Sequence, residues 1–417
     1  LTKRQSSGEP ARRRGRVPRL RNARIRTKLG LILIVPITAL VGVAAVQLVG
    51  TGRDMAQSRQ AIRHAQLAQR AAALGADLQS ERTLAASLLT APGAEQGAAT
   101  KAYNRQTAAT DRRVDAYRTA RDQLGSSGNV AGLLNRIDTQ LDALDALRES
   151  IRKRELIPLS TAVFSYRSLI ADLLAYRQTL ANVAGSDEAS NLARGISAIA
   201  SHTEMTSQEQ EVGIVILGDQ VTPAQHEAFQ ATLEGQAEAL RSFRDAVTAD
   251  QVTSMERTIA GKGVGSDHGT PLPGAQRTLT TEQVQNDIVA AQRFEGDLSR
   301  APAGRDATLS DDADTAQWAK TMDTRVALSR AVETRLDSRF RTLIQNQENS
   351  LLRRLVVEAS AVVLMVLIAI AIALLTARSM AGPLRRLRAG ALTVAYKQLP
   401  QTVARLRDPE TLGELTP

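Results

Sequence analysis

Cysteine is absent from the 417 residues, which excludes disulfides, thiol catalysis and cysteine-ligated metal sites. Aromatic side chains make up only 3% of the chain, so any core must be assembled from alanine and aliphatic residues. That composition suits helices packed on helices and predicts an all-α fold. Histidine is scarce too: His64, His202, His226 and His268 are the four, and none pairs with another at metal-ligand spacing. They are expected at exposed polar positions. No Gly-rich nucleotide loop follows residue 377, and the scattered Asp and Glu residues form no acid–base pair. The sequence therefore holds no expected catalytic site and calls for no metal or cofactor of its own.

Acidic residues are nearly missing from the start of the chain. Residues 1–28 carry eleven Arg or Lys against Glu9 alone, which accounts for the whole net charge of +10. Such a run can mark a nucleic-acid-binding arm. The adjoining segment argues against that reading, because residues 29–50, "LGLILIVPITALVGVAAVQLVG", are uncharged and long enough to span a bilayer. A second apolar run, residues 355–377, is interrupted only by Glu358 and is followed by Arg378, Arg385, Arg386 and Arg388. Basic residues flank both runs on the same side, so the positive-inside rule predicts two membrane spans with cytoplasmic termini. Residues 51–354 would then be extracytoplasmic. The basic tail reads as a topology signal and an anionic-lipid contact, with no nucleic-acid partner expected.

Between the spans, amphipathic stretches are separated by turn clusters: "TAPGAEQG" at 90–97, "GSSGN" at 125–129, "AGSD" at 184–187 and "GDQVTP" at 218–223. Their spacing predicts about eight helices, enough for two four-helix bundles. Residues 261–278 and 300–312 are expected to be loops. Met322, Val326, Leu336, Phe340 and Leu343 keep a helical repeat, so the last exported helix should run into the second span.

Residues 378–417 carry Pro383, suited to a first helical turn, and a seam of Leu384, Leu387, Ala391 and Val394. The Pro-Leu entry and "ETLGEL" at 410–415 resemble a HAMP signalling linker, here cut short. That resemblance implies a homodimer, because the module is a parallel bundle made by two chains. A receptor ending at residue 417 would have an input and a relay but no output, so a longer chain is expected.

One residue breaks the amphipathic pattern. In "LQSERTLAAS" (78–87), Leu74, Leu78, Ala85 and Leu89 share a narrow helical arc, and Arg82 falls inside it. A buried guanidinium must find a carboxylate, carbonyls or a dissolved anion. Adjacent Glu81 points elsewhere on a helix. The parallel N–H donors of a guanidinium match two oxygens of a planar, singly charged oxyanion such as nitrate or nitrite.

Together with "LQSERTLAASLL", the segments "YRSLIADLL" (166–174), "EMTSQEQEVGIVILGDQVTP" (204–223) and "TAQWAKTMDTRVALSRAVETRL" (315–336) resemble a nitrate- and nitrite-sensing (NIT) domain. The stretch after the second span is similar to the one found after that domain in sensor histidine kinases of high-GC bacteria. Arg outnumbers Lys by 46 to 7, as a high-GC genome favours. The resemblance implies a pair of four-helix bundles, a small anion held by arginines on different helices, and a missing kinase part that uses ATP and signals to a response regulator. It places the first arginine at Arg82 and the second near Ser207–Glu211, where this chain has Gln210 instead. Arg177, in its own helix's apolar arc, could supply the missing charge. Arg82, Arg177 and Gln210 are thus the expected ligand-binding residues. Two rivals share parts of this pattern: a chemotaxis-type receptor, and a membrane-anchored helical assembly protein that binds a protein or envelope component.

Overall fold

The computed structural model describes residues 25–124, 130–154, 157–182, 184–218, 220–264, 270–273, 278–393 and 396. Two compact units are formed, one by Asp54–Ser350 and the other by Leu1–Arg53 with Leu351–Pro417. The described residues hold ten α-helices: α1 (Ile25–Thr90), α2 (Gln96–Asp122), α3 (Ala131–Asp142), α4 (Leu144–Lys153), α5 (Leu159–Gln178), α6 (Asp187–Gly218), α7 (Pro223–Ala246), α8 (Ala249–Ile259), α9 (Thr281–Arg300) and α10 (Thr315–Thr393). The all-α expectation is met, and one expected loop carries a small addition. Within residues 261–278, expected to be a plain loop, Thr270–Pro271 (β1) pairs antiparallel with Thr278–Leu279 (β2). Leu272 and Leu279 pack there against Val284, Ile288 and Leu328, and this apolar contact orders the hairpin.

Helix boundaries follow local chemistry. At the start of α7, Thr222 Oγ1 accepts from the Gln225 amide at 3.2 Å, and Gln225 Oε1 accepts from the Thr222 amide at 2.8 Å. Pro223 stands at the first helical position. The same Thr-x-x-Gln box opens α9 at Thr280 and Gln283. Each box satisfies two amides that the first helical turn would otherwise leave unpaired. Pro383, expected to open a new helix, lies inside α10, which continues through it. One missing amide donor there is tolerated without a break. "ETLGEL", "GSSGN", His268 and Val394 lie outside the described residues.

The larger core of the Asp54–Ser350 unit takes Leu74 and Leu78 from α1, Tyr103 and Tyr117 from α2, Ile137 from α3, Ile151 from α4, Tyr166 and Leu173 from α5, Ile196 from α6 and Phe340 from α10. A second core joins Ile214 and Ile216 of α6 to Phe229, Phe294, Trp318 and Met322. Helices α6 and α10 serve both cores, so the two expected bundles share helices. Where these two meet, Gly213 lets the Trp318 ring approach so closely that a Cβ would come within 2.3 Å of its Nε1.

In the other unit, Val357, Leu364 and Ile368 of α10 are exposed. The segment Thr315–Ile372 is long and apolar enough to cross a membrane, and among the described residues it is the one that meets this test.

Candidate functional site

Over residues 195–217 no residue of helix α6 is fully exposed, yet this stretch carries Glu204, Ser207, Glu209, Gln210 and Glu211 among its buried residues. Buried polar groups of this kind must be satisfied by neighbouring helices. Helix α1 answers with two adjacent residues that face different ways. Glu81 turns toward α4 and α5, accepting from Arg148 at 2.7 and 2.9 Å and from the Tyr166 hydroxyl at 2.6 Å. Arg82, fully buried, turns toward α6. Its Nη1 donates to Glu204 Oε1 at 2.5 Å, its Nη2 donates to Ser207 Oγ at 3.1 Å, and its Nε lies 3.1 Å from Glu211 Oε2. Burial alone would lower the Arg82 pKa, but Glu204 and Glu211 outweigh it and hold it above the ordinary value. Burial pushes the Glu211 carboxyl up, against the opposing pull of Arg82 and Arg167.

Arg177 makes a separate ion-pair cluster. From the end of α5 it donates to Glu333 and, at 3.1 Å, to Asp337 Oδ2, both on α10. Burial would lower its pKa, and the two carboxylates more than reverse this. Gln210 also faces α10, where its Nε2 donates to the Ala319 carbonyl at 2.9 Å and to Asp323 Oδ1 at 2.7 Å. The three residues singled out from sequence therefore meet three different sets of partners.

Arg330, one helix over, is a different case. It is 7% exposed, and its Nη2 donates to two neutral acceptors on α1, the Ala76 carbonyl at 2.8 Å and Gln79 Oε1 at 2.9 Å. Its Nε has no hydrogen-bond partner. Burial pulls its pKa below the ordinary arginine value, and the carboxylates of Glu333, Asp77, Asp323 and Glu204 are too weakly coupled to restore it. Arg330 borders a cavity of about 140 Å³ whose polar wall includes Ser80, Thr83 and Ser87 of α1, Ser207 and Gln210 of α6, and Asp323 of α10. It also borders a space of about 20 Å³ shared with Arg177, Gln79 and Glu333. The larger cavity is close in size to the roughly 150 Å³ that admits a benzene-sized molecule; the smaller has room for about one water. Ser207, having accepted from Arg82, keeps its own hydroxyl hydrogen for a guest in the larger cavity.

A family model for nitrate and nitrite sensing matches residues 73–341, which include every residue named around this cavity. The chain belongs to the NIT family. Among solved structures, that of the NasR transcription antiterminator superposes on it with a TM-score of 0.56. The superposition covers 85% of this chain and 90% of that one at 17% identity. That likeness speaks to the fold of the NIT domain and its surroundings. No curated protein matches the chain.

The structure also corrects the reading of two histidines. His64 and His202 are buried. His64 Nδ1 is 3.0 Å from the Tyr176 hydroxyl, and His202 Nδ1 is 3.2 Å from Ser329 Oγ. Burial, then Arg325, pushes His202 down to about 4, so it stays neutral near pH 7. In both positions a hydroxyl partner makes burial tolerable. Among the described residues, no group of His, Asp and Glu is arranged to hold a metal.

Arg330 was not among the residues expected from sequence, although the signal was present. The repeat Met322, Val326 is continued four residues on by Arg330, the same intrusion of a guanidinium into an apolar series that singled out Arg82.

Proposed function

We propose that the Asp54–Ser350 unit is the extracytoplasmic input domain of a two-span, dimeric membrane receptor, and that nitrate or nitrite binds in the cavity beside Arg330. One observation carries the assignment: a buried arginine with only neutral hydrogen-bond acceptors borders a polar cavity large enough for an oxyanion. A planar monoanion would supply the missing counter-charge and accept from the guanidinium and from Ser207. Arg82 then acts as a positioning residue, since it holds Ser207 and is itself saturated by Glu204. Because the cavity wall draws on α1, α6 and α10, an ion bound there favours whichever packing brings the three together. It shifts the equilibrium by its difference in affinity for the two packings.

The NIT family, the apolar Thr315–Ile372 segment and the HAMP resemblance support a signalling role whose output part is a histidine kinase using ATP. The test is thermal unfolding of the full chain in detergent with nitrate, nitrite or chloride at matched ionic strength. Nitrate or nitrite at a hundredfold excess over its Kd is expected to stabilise the wild type by about 2.7 kcal/mol, and Arg330→Met is expected to lose that response. Equal responses in both proteins, or none in the wild type, would remove the site.

A further inference from the structure

We propose that Asp323 sets the charge class of the ligand, so that the cavity accepts singly charged oxyanions and excludes doubly charged ones such as sulfate. The inference rests on the assignment of the anion to the Arg330 cavity and deepens it.

Asp323 and Arg330 are seven residues apart on α10, which places them about 20° apart around the helix and roughly 10.5 Å apart along it. Both line the cavity, so its wall carries a carboxylate toward one end and a guanidinium toward the other. The carboxylate is fixed by Gln210, whose amide donates to it at 2.7 Å and to the Ala319 carbonyl at 2.9 Å. An amide orients Asp323 without adding positive charge, which an arginine at position 210 would have done.

No surplus cation comes from the neighbouring cluster. Arg82 meets two carboxylates, Glu204 and Glu211, and Arg167, 3.8 Å from Glu211, brings that group only to formal neutrality. A monoanion beside Arg330 completes one ion pair. A dianion would bring a second negative charge with no second guanidinium among the described residues of the cavity wall to meet it, where Asp323 is already present. Asp323 is half-buried, and charges so placed are screened less than fully exposed ones.

Trp318 offers the readout. It is the chain's single tryptophan, its Nε1 donates to the Gln210 carbonyl at 2.9 Å, and it adjoins Ala319 on the cavity wall. Nitrate, nitrite and sulfate are titrated into the full chain in detergent at constant ionic strength, with calorimetry beside Trp318 emission. The wild type is expected to bind nitrate or nitrite at least tenfold more tightly than sulfate. Asp323→Asn, which keeps the acceptor for Gln210, is expected to narrow that ratio at least tenfold by admitting sulfate, with Asp323→Ser as the alternative if the Asn protein does not fold. Asp323→Glu retains the charge and should retain the exclusion. If the neutral variant binds nitrate but still rejects sulfate, or if the Glu variant admits sulfate as readily, the role of Asp323 is overturned while the anion site stands. A wild type that binds neither nitrate nor nitrite overturns the site and this inference together.

Discussion

Two arginines with nearly equal burial differ in what surrounds them. Arg82 sits between Glu204 and Glu211, so its removal leaves two carboxylates in a dry interior. Arg330 has only carbonyl-type acceptors, so its removal relieves an unpaired charge while costing modest hydrogen bonds. We therefore expect Arg82→Met to destabilise the ion-free protein by about 3–5 kcal/mol and Arg330→Met to change it by no more than about 1 kcal/mol. Chemical denaturation of the two variants measures this directly, and equal losses would contradict the difference in their surroundings. The identity of Arg82 as a buried cation could be read from its place beside Leu78. Its partners could not, because Glu204 and Glu211 lie more than a hundred residues away and periodicity within one helix carries no information about a distant one. Arg177 shows the same limit: its burial was legible, while Glu333 and Asp337 became visible only once α5 and α10 were packed together.

At the level of a helix, α6 concentrates acids in the interior, and that has a pH signature. Burial raises Glu209 to about 7, opposed by Arg325 and reinforced by Glu295. A carboxyl whose pKa is higher folded than unfolded binds more protons in the native state. Its stabilising contribution is complete below the unfolded pKa near 4.5 and disappears as pH rises through about 7. His202, held down to about 4, acts in the opposite sense between there and 6.5, so the wild-type curve mixes the two. Comparing variants separates them. Relative to wild type, Glu209→Gln is expected to gain stability between pH 5 and pH 8, by on the order of 1–3 kcal/mol. A constant difference across that range in thermal melts would argue against a titrating Glu209. Helix ends were legible where a turn cluster marks them, as "GDQVTP" at 218–223 does between α6 and α7. The β1–β2 hairpin was not, because it is held by apolar contacts to α9 and α10 rather than by its own residues.

For the molecule as a whole, the proposed placement of Asp54–Ser350 outside the cell predicts that a periplasmic-type reporter fused after residue 264 is active and that one fused after residue 24 is not. The reverse pattern would reject the topology. The pairing of α6 with its partners also bears on how the protein comes into being. The links Arg82–Glu204, Arg325–Glu209 and Arg177–Glu333 join residues 122, 116 and 156 positions apart. Closing such wide loops is slow, and each link matters only once both ends have left water. During synthesis α6 emerges more than ninety residues before α10 is complete enough to meet Glu209 with Arg325. A nascent chain stopped short of α10 would hold Glu209 without Arg325 and Arg177 without Glu333 and Asp337. The Asp54–Ser350 unit can set into its native shape only when translation has passed the part of α10 that carries Arg325, Glu333 and Asp337, which makes α10 the keystone of assembly.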